Sequence, residues 1–105
     1  MWNKSIALLA GVKSEQDEDG FLVTTEEWLG GIPANFKDAT RQDEIVASQS
    51  GYQADQNIEI VACNYHREME LMDESTGERY VVKRTYQKDK SRYLTLTCER
   101  REQGG

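Results

Sequence analysis

The sequence predicts a mainly β fold: a small antiparallel β-barrel of about six strands with one short α-helix near residues 41–50. Three observations lead there. Apolar and polar residues alternate with period two in several short runs, most clearly in Tyr93-Leu-Thr-Leu-Thr-Cys98. Turn residues recur between those runs, at Asp19-Gly20, Gly30-Gly31 and Asp73 to Gly77. The chain has only 105 residues, of which 37 % are hydrophobic and 30 % charged, with a mean hydropathy of −0.79. That composition allows one modest core, and closing the sheet removes edges that a small domain cannot otherwise protect. A single domain over residues 1–101 and a polar tail at 102–105 are expected.

The first element is the apolar run Ser5 to Val12, and the second is Phe21 to Thr24. The polar stretch Lys13 to Gly20 joins them as a hairpin connection turning near Asp19-Gly20. Glu26 to Gly31, with Trp28 and two glycines, reads as an exposed bend before a strand at about Ile32 to Ala39. Thr40 has the position of a helix N-cap, with Asp43 three residues on. Together they predict a helix over 41–50, closed by Gly51 and packed through Ile45 and Val46.

From Asn57 to Tyr65 the period becomes strand-like, placing Ile58, Ile60 and Ala62 on one side and Val61, Cys63 and Tyr65 on the other. A strand apolar on both faces needs a central place or a cover. His66 to Met72 reads as the next strand, Asp73 to Gly77 as its turn, and Arg79 to Tyr86 as a strand with Tyr80 and Val82 on one face. In the last strand Leu94, Leu96 and Cys98 share the inner face.

Charge is distributed unevenly. The net charge of −6 lies wholly in residues 1–55, which hold Glu15, Asp17, Glu18, Asp19, Glu26, Glu27, Asp38, Asp43, Glu44 and Asp55 against Lys4, Lys13, Lys37 and Arg41. Non-specific DNA binding needs phosphate neutralisation, and this balance has the wrong sign for it. Glu15, Asp17, Glu18 and Asp19 form either a solvated hairpin tip or a loop kept acidic so that DNA can pass without sticking. Lys83, Arg84, Lys88, Lys90 and Arg92 are the opposite feature. They read as a solvated hairpin edge, or as a dock for an acidic partner such as the Glu15 to Glu27 region of a neighbouring copy.

Nothing assembles a catalytic set. His66 is the one histidine, Cys63 and Cys98 read as plain buried thiols, and zinc, calcium and phosphate-loop patterns are absent. No enzyme activity, cofactor or metal is expected. The longest apolar run, Ile6 to Ala10, is far shorter than a membrane span of ~20 residues, and no export signal is seen.

The order Arg41-x-x-Glu44-x-x-Ala47-x-Gln49-x-Gly51, then Tyr80-x-Val82-x-Arg84-Thr85-Tyr86, then Leu94-x-Leu96-x-Cys98-Glu99 resembles the head-closure, or head–tail joining, proteins of long-tailed phages. The resemblance covers residues 36–101 well and 1–35 in outline. It implies a non-enzymatic β-barrel that forms a twelvefold or sixfold ring in the virion neck after synthesis in the host cytoplasm. Portal and adaptor proteins would lie above it, tail-terminator or tail-tube proteins below, and genomic double-stranded DNA would pass through without sequence-specific binding. A projecting loop narrows the channel in such proteins; Lys13 to Gly20 is the first candidate here and Glu26 to Gly31 the second. Trp2, Glu26, Glu27 and Trp28 join Lys83, Arg84, Lys88, Lys90 and Arg92 as candidate subunit contacts. Competing readings are an adaptor or tail-terminator ring subunit, and a monomeric β-barrel module that binds a basic peptide.

Overall fold

The structure, a computed structural model, describes residues 2–101; the expected polar tail at 102–105 lies outside the described residues. Six strands run β1 (Lys4–Gln16), β2 (Leu22–Lys37), β3 (Gln56–Val61), β4 (Glu70–Asp73), β5 (Arg79–Gln87) and β6 (Tyr93–Arg100). One helix, α1 (Arg41–Ser50), joins β2 to β3. All neighbouring strands are antiparallel, and the sheet closes on itself in the order β1-β2-β3-β6-β5-β4. The expected mainly β fold with six strands and one helix is therefore the fold found.

The core is the inside of this closed sheet. Ile6, Leu8, Ile58, Ile60, Leu71 and Leu96 are fully buried, with Ile32, Ala34, Tyr80, Leu94 and Cys98 completing the cluster. Each such aliphatic side chain contributes roughly 1.5–3 kcal/mol on burial. The inward sets follow the strand period, as Leu94, Leu96 and Cys98 show.

The ring closes where Ile6, Ala7 and Leu8 of β1 pair with Asp73, Met72 and Leu71 of β4. Asp73 is buried there and accepts from Lys4 Nζ at 2.6 Å and from Ser75 Oγ and N at 2.7 and 2.9 Å. Burial works to raise the Asp73 carboxyl, but the bonds from Lys4 and Ser75 outweigh it and hold its pKa below the ordinary value.

Helix α1 spans the residues expected. Thr40 Oγ1 accepts from Asp43 N while the Asp43 side chain accepts from Thr40 N, and Gly51 closes the helix at φ 83°. Asp43 also accepts from Asn57 Nδ2 at 2.7 Å, and Asn57 Oδ1 accepts from Thr97 Oγ1 at 2.8 Å, so the helix is tied to the outside of β3 and β6. Its packing residue is Ala47, with Val46 partly covered. Ile45, expected to pack, is 46 % exposed.

Several boundaries differ from the sequence expectation. The polar residues Lys13 to Gln16 belong to β1, and Glu26 to Gly31 is not a bend but the middle of β2. Both stretches lie in the β1–β2 ladder, which runs on to Gln16↔Leu22, and backbone pairing tolerates polar side chains where both faces meet water. The strand expected over Ile32 to Ala39 accordingly starts at Leu22 and stops at Lys37. The strand expected to reach Tyr65 stops at Val61, followed by one 3₁₀ turn, Ala62–Asn64.

His66 to Glu68 is not strand either. Arg67 has φ 66°, and the Glu68 carboxylate accepts from His66 N, making a local turn that delays β4 to Glu70. Cys63, expected buried, is exposed because that 3₁₀ turn removes it from the strand; Cys98 is buried.

Candidate functional site

Two surface features carry most of the unpaired charge, and each is a hairpin. The first is an arm. Beyond Leu8, β1 has no partner but β2, and β2 meets β3 only at Asn35, Phe36 and Lys37. Residues Leu9–Gln16 and the facing part of β2 thus form a two-stranded ribbon outside the closed sheet. Eight residues at about 3.3 Å each extend roughly 26 Å, consistent with a long axis of 50 Å against 29 and 24 Å.

The ribbon's base is fixed by named contacts. Register shifts interrupt the ladder between Ile6 and Leu8 and between Leu9 and Gly11, and such bulges bend a strand pair. Glu74, in the β4–β5 turn, accepts from Ser5 Oγ and from Gly31 N, both at 2.8 Å. A Cβ at Gly30 would lie 2.9 Å from Glu74 Oε2, so that glycine permits the approach. Arg79 donates to Glu26 at 2.7 Å and stands 5.1 Å from the Trp28 ring centre. Glu26 and Trp28, expected as subunit contacts, are thereby engaged within the chain. Glu27 pairs with Lys13 at 2.9 Å on the ribbon's surface.

The arm's tip is the Asp17 to Phe21 turn. Asp17 N donates to Phe21 O and Gly20 N to Asp17 O, while Asp17 Oδ1 accepts from Asp19 N and Phe21 N. Gly20 has φ 84°. Of the four acids expected to face a channel, Asp17 therefore braces the turn, whereas Glu15, Glu18 and Asp19 project freely. All four are exposed, and among the described residues none is in an ion pair.

Apolar side chains accompany these acids, which the charge-based reading of the sequence missed. Phe21 and Leu22 are each 70 % exposed, and Val12, Val23 and Leu29 lie open too. Facing residues in an antiparallel pair share a side, so the pairing of Val12 with Glu26 and of Glu15 with Val23 puts apolar groups on both faces of the ribbon. The signal in the sequence was Phe21-Leu22-Val23 directly after four acids, in a segment assigned only as a strand.

The second feature is the β5–β6 hairpin. Ser91 N donates to Lys88 O, Gln87 Nε2 donates to Ser91 O, and Lys90 sits at φ 62°. Lys83, Lys88, Lys90 and Arg92 are exposed and, among the described residues, make no ion pair. Arg84 differs from its expected partners in charge: its guanidinium lies 4.0 Å from Asp43, turned toward α1. Tyr86 and Tyr93 stand exposed next to the hairpin's turn, and Trp2 meets Tyr93 edge-on at 5.8 Å. Between α1 and these strands lies a groove of about 250 Å³ lined by Thr40, Asp43, Asn57, Arg84, Tyr86 and Thr95.

Elsewhere, His66 is exposed beside Glu68, and Cys63 and Cys98 are both free thiols. Among the described residues no group of three or more His, Cys, Asp or Glu could hold a metal ion. Among the described residues no helix is long and apolar enough to cross a membrane. No protein-family model matches the chain, and no curated protein matches it.

Proposed function

We propose that this chain is a structural, ring-forming subunit of the head–tail connector of a tailed phage, of the head-closure type, with no enzymatic role. The observation that carries the reading is the ribbon: a small closed sheet sends out a long two-stranded arm whose acidic tip and apolar flanks find no cover in their own chain. An isolated two-stranded ribbon is marginal in water, so such an arm makes sense in an assembly that surrounds it. The sequence resemblance over residues 36–101 supports the same reading.

The test is location. Cross-linking of purified virions, or a reconstruction of their neck, is expected to place this chain between portal and tail as a ring. Absence from the virion overturns the reading, and a stable monomer that captures a basic peptide through residues 15–27 would favour the binding-module alternative.

A further inference from the structure

The arm and the basic hairpin match each other in charge and in apolar content, and within one chain they do not meet. Glu15, Glu18 and Asp19 stand beside exposed Phe21 and Leu22, while Lys88, Lys90 and Arg92 lie in the turn next to exposed Tyr86 and Tyr93, with exposed Lys83 further along β5. No ion pair joins the two sets among the described residues, although seven of the chain's other cations are paired: Lys4, Lys13, Lys37, Arg79, Arg84, Arg100 and Arg101. Tyr86 faces Thr95, and Tyr93 lies two residues before Thr95 on the same strand, so the two tyrosines are diagonal neighbours on one face. The groove under α1 opens alongside, with Tyr86 and Thr95 in its wall.

We propose that the arm of one copy seats on the β5–β6 face of a second copy, its acids against the neighbour's Lys83, Lys88, Lys90 and Arg92 and its Phe21 and Leu22 against Tyr86 and the adjoining groove. Charge complementarity selects the occupant: the surface is basic and aromatic, and the chain's own arm is the acidic and apolar element left unmatched. The contact joins two different surfaces, so it is head-to-tail and repeats from copy to copy, into a closed ring where the rotation closes and into an open filament where it does not. It places the four acids at the seam between subunits. This contact rests on self-association alone and stands or falls separately from the neck assignment, which fails on absence from virions.

Two charge-reversed chains test it, E15K/E18K/D19K and K83E/K88E/R92E; both leave Asp17 and Lys90, which hold the turns, in place. Exposed opposite-charge pairs are worth roughly 1.4- to 5-fold each. Each reversed chain alone is expected to self-associate about 10- to 100-fold more weakly than the natural chain in sedimentation at low salt, and a mixture of the two to recover association. A natural chain that stays monomeric at millimolar concentration in low salt, or reversals without effect, overturns the proposal. Disulfide trapping in a C63S background gives the geometry. Mixing chains carrying F21C with chains carrying Y86C is expected to give the mixed dimer; predominance of F21C homodimers would mean that the tips meet each other, and the proposal fails.

Discussion

Replacing Asp73 by asparagine probes the seam at which the sheet closes. The native carboxylate is 1 % exposed and accepts from Lys4 at 2.6 Å and twice from Ser75. Asparagine has one oxygen: kept for Ser75 it turns an N–H donor toward the lysine, and turned to the lysine as a neutral acceptor it leaves the Ser75 donors facing that N–H. A hydrogen bond to a charged group is worth about 1.5–3 kcal/mol, and removing one member of a fully buried ion pair costs about 3–5. Lys4 keeps 34 % of its side chain exposed and can rehydrate, so the lower range applies: about 2 kcal/mol. In a domain of this size that lowers the melting temperature by about 8–16 °C. The pH dependence has a definite sign. The native Asp73 pKa is depressed, so its contribution is present above the ordinary carboxylate value and is lost as pH falls through the lowered native one. Urea unfolding of D73N and the natural chain should therefore differ at neutral pH and converge in strong acid. A difference below about 0.5 kcal/mol at pH 7 would show that the seam does not depend on this pair.

Two further outcomes follow from burial and close approach. Cys63 is exposed and Cys98 buried, with burial pushing the Cys98 thiol up to about 12; one thiol is expected to react with a disulfide reagent near pH 8 in the folded chain and two after unfolding. The stability held by the neutral Cys98 thiol is present below the ordinary thiol pKa and lost as pH rises toward 12, so rapid native labelling of both thiols would contradict the core. G30A sets a Cβ 2.9 Å from Glu74 Oε2, and displacing that carboxylate breaks its bonds to Ser5 and Gly31. That oxygen is the end of a flexible, exposed side chain that can swing aside, so only a small loss of stability in urea unfolding is expected, and a G30A/E74A chain that shows both single losses in full would show that the two sites are independent.

The helix was legible because its signals are local: Thr40, Asp43 and Gly51 specify both ends through bonds to residues within four positions. The inner face of β6 was legible because period two survives in Leu94, Leu96 and Cys98. The arm was not. Its residues Lys13 to Gln16 and Glu26 to Gly31 lack a buried face, so no hydrophobic period marks them, and they are strand only because β1 and β2 pair along the arm, Lys13 to Gln16 with Thr25 to Leu22 and Glu26 to Leu29 with Val12 to Leu8. The Glu74 contact to Gly31 spans 43 residues and the Lys4 contact to Asp73 spans 69, separations that no local pattern announces. Cys63 was misplaced for a related reason: the alternation that buries Ile58 and Ile60 is cut at Val61 by a turn whose bonds are made to Arg92 and within Ala62 to Tyr65.

Composition and local pattern by themselves determined a mainly β chain with six strands, one capped helix, an acidic first half and a basic hairpin near its end. Those properties depend on residue type and on neighbours close in sequence. Tertiary structure decided that the ring closes through β1 and β4 and that Arg84, Glu26 and Trp28 are occupied within the chain. It also decided that Phe21 and Leu22 stand in water beside three free acids. Exposure and pairing are set by which distant segments meet, and the same alternating strand is buried in a closed sheet or left bare on an arm according to whether a third strand lies beside it.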